Sequence, residues 1–258
     1  MKIEAVTTCV DYADFLAWSL PFTVRQFDRL VIVTTPEDRR TRDLCEHHHV
    51  ECLVTDAFHR DEKAFDKGAA ITEGLKRLAC DAWVCDLDSD IVLPPRTRHL
   101  LERLDLDPLC LHGIDRMMCH GFAEFARYLS EPEVQHSCDI YVQANAFPLG
   151  ARIAKLRGDG YLPLGFFQLW HAGETGIRDY PSHGAADRSD LLFAQRWARR
   201  RRQLLPEIVA VHIDNVTEDE PMGANWRGRR TRSFLDAPVL PADPPRRGYR
   251  FPLNPHSR

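Results

Sequence analysis

The chain lacks the features that mark membrane-spanning and secreted proteins. Its 258 residues contain no apolar run near the roughly 20 residues that a membrane-spanning helix needs. The first six residues enter a strand-like stretch directly, without the basic, apolar and small-residue order of a signal peptide. These absences predict a cytoplasmic protein.

Paired cysteines are also absent. The eight cysteines are scattered singly, and none follows residue 138: Cys9, Cys45, Cys52, Cys80, Cys85, Cys110, Cys119 and Cys138. Without a Cys-x-x-Cys pair, neither a zinc cluster nor a disulfide framework is expected. The pattern predicts buried free thiols.

Lysine is missing from the last quarter of the chain. From residue 191 onward, 13 arginines and no lysine stand against seven acidic residues, for a net charge of +6. The first 190 residues carry a net charge of −10. We expect the acidic part to hold a metal ion and the basic part to face an anion.

Strand-like runs alternate with helix-like patterns through the first 90 residues. The strand-like runs cover residues 3–10, 30–35, 50–55 and 83–87, and the helical patterns cover residues 36–46 and 64–79. Such alternation predicts an α/β fold with a mostly parallel sheet and helices on both faces. A chain of this length that is 44% hydrophobic can bury one large core.

The second half of the chain has a weaker pattern. Residues 113–185 are rich in glycine and mixed polar and aromatic residues, which predicts loops that cover a substrate. Ser189 is expected to cap a helix that runs to about Leu205, and residues 209–213 are expected to form a last strand. Beyond residue 217 the sequence is rich in proline, glycine and arginine and is interpreted as a tail.

Three carboxylates follow one strand-like run at alternating positions. Asp86, Asp88 and Asp90 lie where the apolar run 83–87 ends, and in extended chain alternate side chains share one side. Clustered carboxylates repel unless a cation compensates them, and oxygen ligands suit Mg²⁺ or Mn²⁺. The pattern therefore predicts a divalent-metal site, with a solvated acidic turn as the alternative.

Several motifs resemble the GT-A fold of nucleotide-sugar-dependent glycosyltransferases. They occur in the expected order: the early strand with Thr8 and Tyr12, residues 65–68, the Asp-x-Asp of residues 87–90, residues 165–171, the acidic residues 187–190, His212 and residues 225–229. The resemblance implies a catalytic domain over residues 1–217, with a nucleotide-binding half (1–112) and an acceptor half (113–217). Residues 218–258 would form the arginine- and proline-rich tail.

The resemblance implies a metal-dependent enzyme that uses a nucleotide-sugar, with a UDP-sugar as the leading expectation. Asp90 would bind the metal directly, and Asp88 would bind the metal or the ribose. His212 matches a late histidine ligand, which favours Mn²⁺ over Mg²⁺ because histidine is the softer ligand. A core histidine at a strand end is the alternative for His212.

A general base is also expected, because an acceptor hydroxyl is a poor nucleophile until its proton is accepted. Asp190 fits this role best, since the positive end of a helix dipole favours an ionised carboxylate. Asp187 is the competing candidate, and a plain N-terminal charge partner is the alternative for Asp190. The two aspartates differ from the Glu-Asp pair of inverting relatives, and inversion at the anomeric centre is the expected outcome.

The resemblance further implies a set of donor-binding residues: Thr8, Asp11, Tyr12, Lys67, Gln168, Trp170 and His171. Tyr12 is expected to stack on the nucleobase, with core packing as the alternative. Lys67 begins a helix, where the dipole disfavours a cation, so donor contact would explain it. Trp170 is assigned to a loop beside the donor sugar, or else to a hydrophobic anchor.

The acceptor is left open by the sequence. Arginine clusters at residues 199–202 and 227–232 are compatible with a phosphate backbone, which admits a hydroxylated DNA base as acceptor besides a saccharide. Alternatively, these arginines pair with the acidic half or grip the donor diphosphate. Two other classes of protein compete with this interpretation. One is a nucleotidyltransferase, but residues 7–12 do not contain the glycine-rich signature of that class. The other is a non-catalytic nucleic-acid-binding protein.

Overall fold

A computed structural model of the chain describes residues 1–130, 156–157, 160–215 and 229–235. The strands are β1 (Ile3–Thr8), β2 (Arg29–Thr34), β3 (Glu51–Val54), β4 (Trp83–Leu87), β5 (Ile91–Val92), β6 (Leu111–His120), β7 (Leu156–Arg157), β8 (Gly160–Tyr161), β9 (Phe167–His171) and β10 (Arg202–Asp214). The α-helices are α1 (Ala13–Thr23), α2 (Arg39–His47), α3 (Lys67–Leu75), α4 (Thr97–Arg103), α5 (Phe122–Ser130), α6 (Ala172–Thr175) and α7 (Ala186–Ala194).

Eight strands form one sheet in the order β3-β2-β1-β4-β9-β6-β10-β5. Strands β1 to β4 run parallel to one another, and β10 runs parallel to β6. Strand β9 is antiparallel to both β4 and β6, and β5 is antiparallel to β10. The predicted α/β fold with a mostly parallel sheet is therefore confirmed. The carboxyl ends of β1, β2, β3, β4, β6 and β10 all meet at one edge of the sheet.

The sheet is buried on both faces. Ala5 belongs to a cluster with Phe15 and Leu16 of α1, whereas Val6 belongs to a second cluster with Ile71 and Leu75 of α3. Adjacent strand residues thus point to opposite faces, each covered by a helix, as the sequence predicted.

Two aspartates fix where α2 and α3 begin. The carboxylate of Asp38 accepts a hydrogen bond from the Thr41 amide at 3.1 Å, and that of Asp66 accepts one from the Ala69 amide at 2.9 Å. Both bonds satisfy amides that lack an intrahelical partner. The helix predicted over residues 64–79 is therefore shorter, Lys67–Leu75.

The second half departs from the sequence-based expectation. Strands β6 and β9 lie where loops were expected, and α7 ends at Ala194 instead of about Leu205. Ser189 is buried inside α7, and Ala185 takes the cap position. The strand predicted at residues 209–213 begins at Arg202, and the pairing shifts register between Leu205 and Val209, where Pro206 lacks an amide to donate.

Seven of the cysteines lie in the described ranges as free thiols, six of them buried and Cys52 half-buried. The helices found there are all too short or too polar to span a bilayer. Residues 225–228, most of the predicted tail and Cys138 lie outside the described residues.

Candidate functional site

A cavity of about 530 Å³ opens at the carboxyl ends of β1, β2 and β3. The residues that line it follow these three strands in turn: Val10, Asp11, Thr35, Pro36, Glu37, Asp56, His59 and Arg60. Loops that follow parallel strands converge at this edge, which is where open α/β sheets bind ligands. Of the predicted donor-binding residues, only Asp11 is in this lining.

Thr8 and Tyr12 are buried and do not line this cavity. Thr8 ends β1 and is buried. The ring of Tyr12 stacks on Phe15 at 4.6 Å between centroids, and its hydroxyl is 3.1 Å from that of Thr231. Burial raises the pKa of Tyr12 strongly. The packing alternative considered for Tyr12 is therefore the arrangement that the structure shows.

Lys67 and Asp88 form a partly buried ion pair at the end of β4. Lys67 is the first residue of α3, and its ammonium group contacts the carboxylate of Asp88. Burial opposes the charge, but Asp88 and Asp86 outweigh it and raise the pKa of Lys67. The cation that the helix dipole disfavours is thus stabilised by the predicted carboxylates.

Gly68 lets α3 approach the chain at residues 180–182. A Cβ atom on Gly68 would lie 1.8 Å from the carbonyl oxygen of Pro181. The close approach therefore requires a residue without a side chain at the second position of α3.

Asp86 is a buried carboxyl beneath this ion pair. It is 0% exposed, and neither carboxylate oxygen has a hydrogen-bond partner in the described part of the chain. The nearby hydroxyl of Tyr180 donates to Gln168 at 2.6 Å instead. Burial raises the pKa of Asp86 to about 7, although Lys67 opposes the shift.

Asp90 and His212 meet across the short β5–β10 pairing. The Nε2 atom of His212 is 3.1 Å from Oδ2 of Asp90, and the Ile213 amide donates to the Asp90 carbonyl at 3.0 Å. Burial alone would raise the pKa of Asp90, but His212, Arg116 and Lys67 lower it. Two predicted metal ligands, distant in sequence, are therefore adjacent.

The donor set of this pair fits a divalent cation. Among the residues that the structure describes, Oδ1 of Asp90 and Nδ1 of His212 are buried and have no hydrogen-bond partner. Two ligands at right angles on an ion of Mn²⁺ or Mg²⁺ size lie about 3 Å apart, close to the observed separation. Asp88 contacts Lys67 instead, and no cluster of three or more histidine, cysteine or acidic residues within the described ranges is arranged to hold a metal.

Two charged residues near the pair were missed by sequence reasoning. Burial raises the pKa of Asp214 to about 7, and His212 opposes the shift. The guanidinium of Arg116 lies 4.4 Å from the Phe166 ring centroid, and its buried Nε has no hydrogen-bond partner in the described ranges. Asp214 alternates with His212 along β10, so its spacing was a usable signal, whereas Arg116 lay in a region read as loop.

Asp190 lies in α7 beside the loop that precedes β9. Its carboxylate accepts hydrogen bonds from the Gly165 amide at 2.9 Å and from its neighbour Leu191 at 2.7 Å. Burial raises the pKa of Asp190, and the Gly165 amide and Lys67 oppose the shift. Asp187 lies one turn earlier in α7, and its side chain is outside the described part of the structure.

Gln168, Trp170 and His171 are in strand β9, so the loop predicted for them is wrong. Gln168 binds the carbonyls of Pro163 and Asp190 through its amide nitrogen, and Trp170 is fully buried against Phe193. Trp170 is therefore a hydrophobic anchor.

His171 lies at the far edge of the sheet from the carboxylates. Because β9 is antiparallel to β4, His171 pairs with Trp83 at the start of β4. Its Nδ1 atom accepts the Glu174 amide at 3.1 Å and caps α6. These contacts remove His171 from the donor site expected for it.

The described arginines of the two clusters have different surroundings. Arg199 to Arg201 form a turn before β10, and Arg202 and His212 pair with residues of β6 that are seven positions apart, roughly 23 Å at 3.3 Å per residue. A grip of this cluster on a diphosphate beside His212 is therefore excluded. Arg229 pairs with the buried Asp14, as the acidic-half alternative predicted. Arg227 lies outside the described residues.

Comparisons with known proteins give structural similarity only. No protein-family model and no curated protein matches the sequence. The structure is similar to glucosyl-3-phosphoglycerate synthase from Mycobacterium tuberculosis in complex with UDP, at 13% identity and a TM-score of 0.48, over 86% of this chain and 73% of that one. A complex of the same synthase with Mn²⁺, UDP-glucose and glycerol 3-phosphate matches at 13% identity and 0.48, over 84% and 74%. Mannosyl-3-phosphoglycerate synthase from Rubrobacter xylanophilus matches at 17% identity and 0.38, over 52% and 49%.

Proposed function

We propose that the chain is a metal-dependent glycosyltransferase that moves a sugar from a nucleotide-sugar to a hydroxyl acceptor. The observation that carries this proposal is the contact between Asp90 and His212, each with an unpartnered buried atom. The pair shares its edge of the sheet with the Lys67–Asp88 ion pair and the cavity.

The pair would hold Mn²⁺ or Mg²⁺. When bound, such an ion stabilises the negative charge that develops on a departing diphosphate. Asp90 and His212 are the proposed ligands, and Asp88 would bind the metal or the ribose after exchanging Lys67 for solvent or donor. Histidine in the set favours Mn²⁺.

Lys67 and Arg116 would bind anionic oxygens of the donor. Lys67 keeps its charge among Asp88, Asp86 and Asp190, so it can exchange a carboxylate for a phosphate without changing protonation. Arg116 is a half-buried cation whose buried Nε lacks a partner in the described ranges. Together they would lower the repulsion between the diphosphate and the acidic edge.

Asp190 is the proposed general base. Its raised pKa brings it closer to the basicity that accepting a hydroxyl proton requires, and the Gly165 amide fixes its orientation. The alternative is Asp187, one turn earlier. Attack by the acceptor hydroxyl, with its proton passing to this carboxylate, on the face opposite the departing diphosphate would invert the anomeric centre.

The cavity would bind the nucleoside, with a UDP-sugar as the proposed donor. Asp11 and Glu37 offer hydrogen-bond acceptors for N–H groups of the base or for ribose hydroxyls, and Arg60 offers hydrogen-bond donors. The proposed catalytic domain is residues 1–217, and the proposed nucleotide half ends at residue 112.

The acceptor would be a saccharide or a hydroxylated base in DNA. The exposed Arg199 and Arg200 are the feature that keeps a nucleic-acid acceptor in the proposal. Binding of a DNA duplex at low salt, measured by anisotropy, tests it. The absence of binding there would leave the saccharide.

The experiment that tests the function is nucleotide release from a panel of nucleotide-sugars, with Mn²⁺ or with EDTA. We expect release from one donor that requires the metal and falls at least 100-fold in Asp90→Ala. Asp81→Asn, an exposed carboxylate at the start of β4, should leave the rate unchanged. Lack of turnover with every donor, or equal turnover in Asp90→Ala, contradicts the proposal. Product formation from a nucleoside triphosphate and a sugar phosphate would instead identify a nucleotidyltransferase.

A further inference from the structure

Residues 229–235 form a C-terminal segment that is anchored on α1. Phe234 is fully buried, and its ring lies 5.1 Å from that of Phe15 and 5.8 Å from that of Phe125. The side-chain amide of Asn215, just after β10, donates to the Ser233 carbonyl at 2.9 Å. The segment is therefore tied to the core and to the strand that carries His212.

Arg229 joins this segment to α1 and to the loop after β1, and its guanidinium has five acceptors. It binds both carboxylate oxygens of Asp14, the Asp11 carbonyl at 2.6 Å, the Arg232 carbonyl at 2.7 Å and the Thr231 carbonyl at 3.1 Å. Only 1% of the Asp14 side chain is exposed, and this carboxylate also accepts the Phe234 amide at 2.7 Å. A planar fork suits such a set of acceptors better than a point charge does.

Asp11 has a conformation that needs support from outside the loop. Its φ is +56°, in the left-handed region that residues other than glycine seldom adopt. Its amide donates to Asp38 at 2.9 Å, and its carbonyl accepts from Arg229. Both polar backbone groups are thus held, and the residue lines the cavity. Strained backbone of this kind persists where surrounding contacts determine it.

We propose that Arg229 is a positioning residue that favours nucleotide binding because it fixes the conformation of the loop at Asp11. The C-terminal segment thereby becomes part of the nucleotide site, although it is more than 200 residues from the loop in sequence. This inference rests on the proposed function, because it takes the cavity as the nucleoside site. If the loop is competent in only a fraction of molecules, the observed affinity falls by that fraction.

The test uses UDP with Mn²⁺ as the probe and calorimetry as the measurement. Arg229→Gln should raise the dissociation constant for UDP about tenfold, because the carbonyl of the left-handed Asp11 loses the donor that holds it. In turnover the donor KM should rise with little change in kcat. Arg98→Gln is the matched control, because Arg98 also forks onto an aspartate, Asp28, and binds backbone carbonyls, at the amino end of the sheet. It should leave UDP affinity unchanged.

Arg229→Lys separates positioning from folding. It keeps a cation beside Asp14, so its melting temperature should lie near that of the wild type. One ammonium cannot hold the fork and both carbonyls, so UDP affinity should still fall several-fold. Wild-type affinity in Arg229→Lys and in folded Arg229→Gln would overturn the inference. If the wild type itself binds no nucleotide, the proposed function fails instead.

Discussion

The ion pair of Lys67 and Asp88 sets the starting electrostatics of the site. A lysine at the first position of a helix is disfavoured by the dipole, yet its charge is held by Asp86 in β4 and by Asp88 just after it. The same carboxylates would repel a diphosphate if they stood alone. Lys67 therefore stabilises the clustered carboxylates, and in the proposed function it is a cation available to the donor.

Asp190 gives the sharpest kinetic prediction. Asp190→Asn removes the proposed base but keeps the acceptor for the Gly165 amide, so kcat should fall about 10²–10⁴-fold with little change in donor KM. Steady-state kinetics measure both constants. Asp179→Asn, an exposed carboxylate before α7, is the control and should retain wild-type rates. A kcat within a few-fold of wild type in Asp190→Asn would transfer the role to another group.

The pH profile tests the same residue. The base works when deprotonated, and its pKa is raised above the ordinary value of 3.8. The acid limb of kcat/KM should therefore rise with pH at values above 3.8. Asp190→Asn should lose that limb. A limb that is identical in the variant would contradict the assignment.

Secondary-structure elements were predicted best where the hydrophobic periodicity and the position of the run in the chain agree. The run 83–87 was predicted correctly as a strand, because a continuous apolar run that ends in a polar turn is typical of a buried strand. Strands β6 and β9 were missed, because central strands can carry His112, Asp115 and Gln168 when neighbours satisfy them. The direction of β9 was also hidden, since local sequence does not encode which strand lies beside it. That direction removed His171 from the site.

The residues of the candidate site were likewise predictable from the sequence only in part. The contact of Asp90 with His212 could be expected from the resemblance, but the cavity lining at His59 and Arg60 could not, since neither residue follows a recognisable pattern. The Asp14 partner of Arg229 is set by tertiary packing alone.

The start of α3 provides a steric prediction. Gly68→Ala would place a Cβ atom 1.8 Å from the Pro181 carbonyl, so α3 must shift. We expect a loss of about 1–3 kcal/mol in the free energy of unfolding and a weaker Lys67–Asp88 contact. Urea denaturation measures the loss. Gly184→Ala, in the loop that contains Pro181, is the control, because no atom lies within 4 Å of the position of its added Cβ. Equal stability of the two variants would contradict the packing described for α3.

Across the chain, charge is divided as the sequence suggested, but the anions that arginines face are partly internal. Arg229 faces Asp14, and Arg196 forks onto Asp179. The exposed Arg199 and Arg200 lie away from the edge that carries the acids. Part of the arginine excess therefore serves to attach the C-terminal segment.

That attachment predicts a pH dependence of stability. Arg229 and the Phe234 amide lower the pKa of Asp14 below 3.8 despite its burial. A lowered folded-state pKa contributes stability above the unfolded value, and this contribution disappears as the pH falls through the folded value. Asp14→Asn should therefore be less stable than wild type by about 3 kcal/mol at neutral pH.

The difference between Asp14→Asn and wild type should stay constant down to about pH 5 and shrink below pH 3.8. Urea unfolding at a series of pH values measures it. A difference that does not change with pH would show that the ion pair is not its source.

Calorimetric titration of UDP into the wild type and Asp90→Ala, each with Mn²⁺ and with EDTA, tests most directly whether a cation at Asp90 and His212 receives the diphosphate. Binding should require Mn²⁺ in the wild type and should weaken at least tenfold in Asp90→Ala. His212→Ala should show the same loss. UDP affinity that is equal with Mn²⁺ and with EDTA, or unchanged in both variants, would contradict the account.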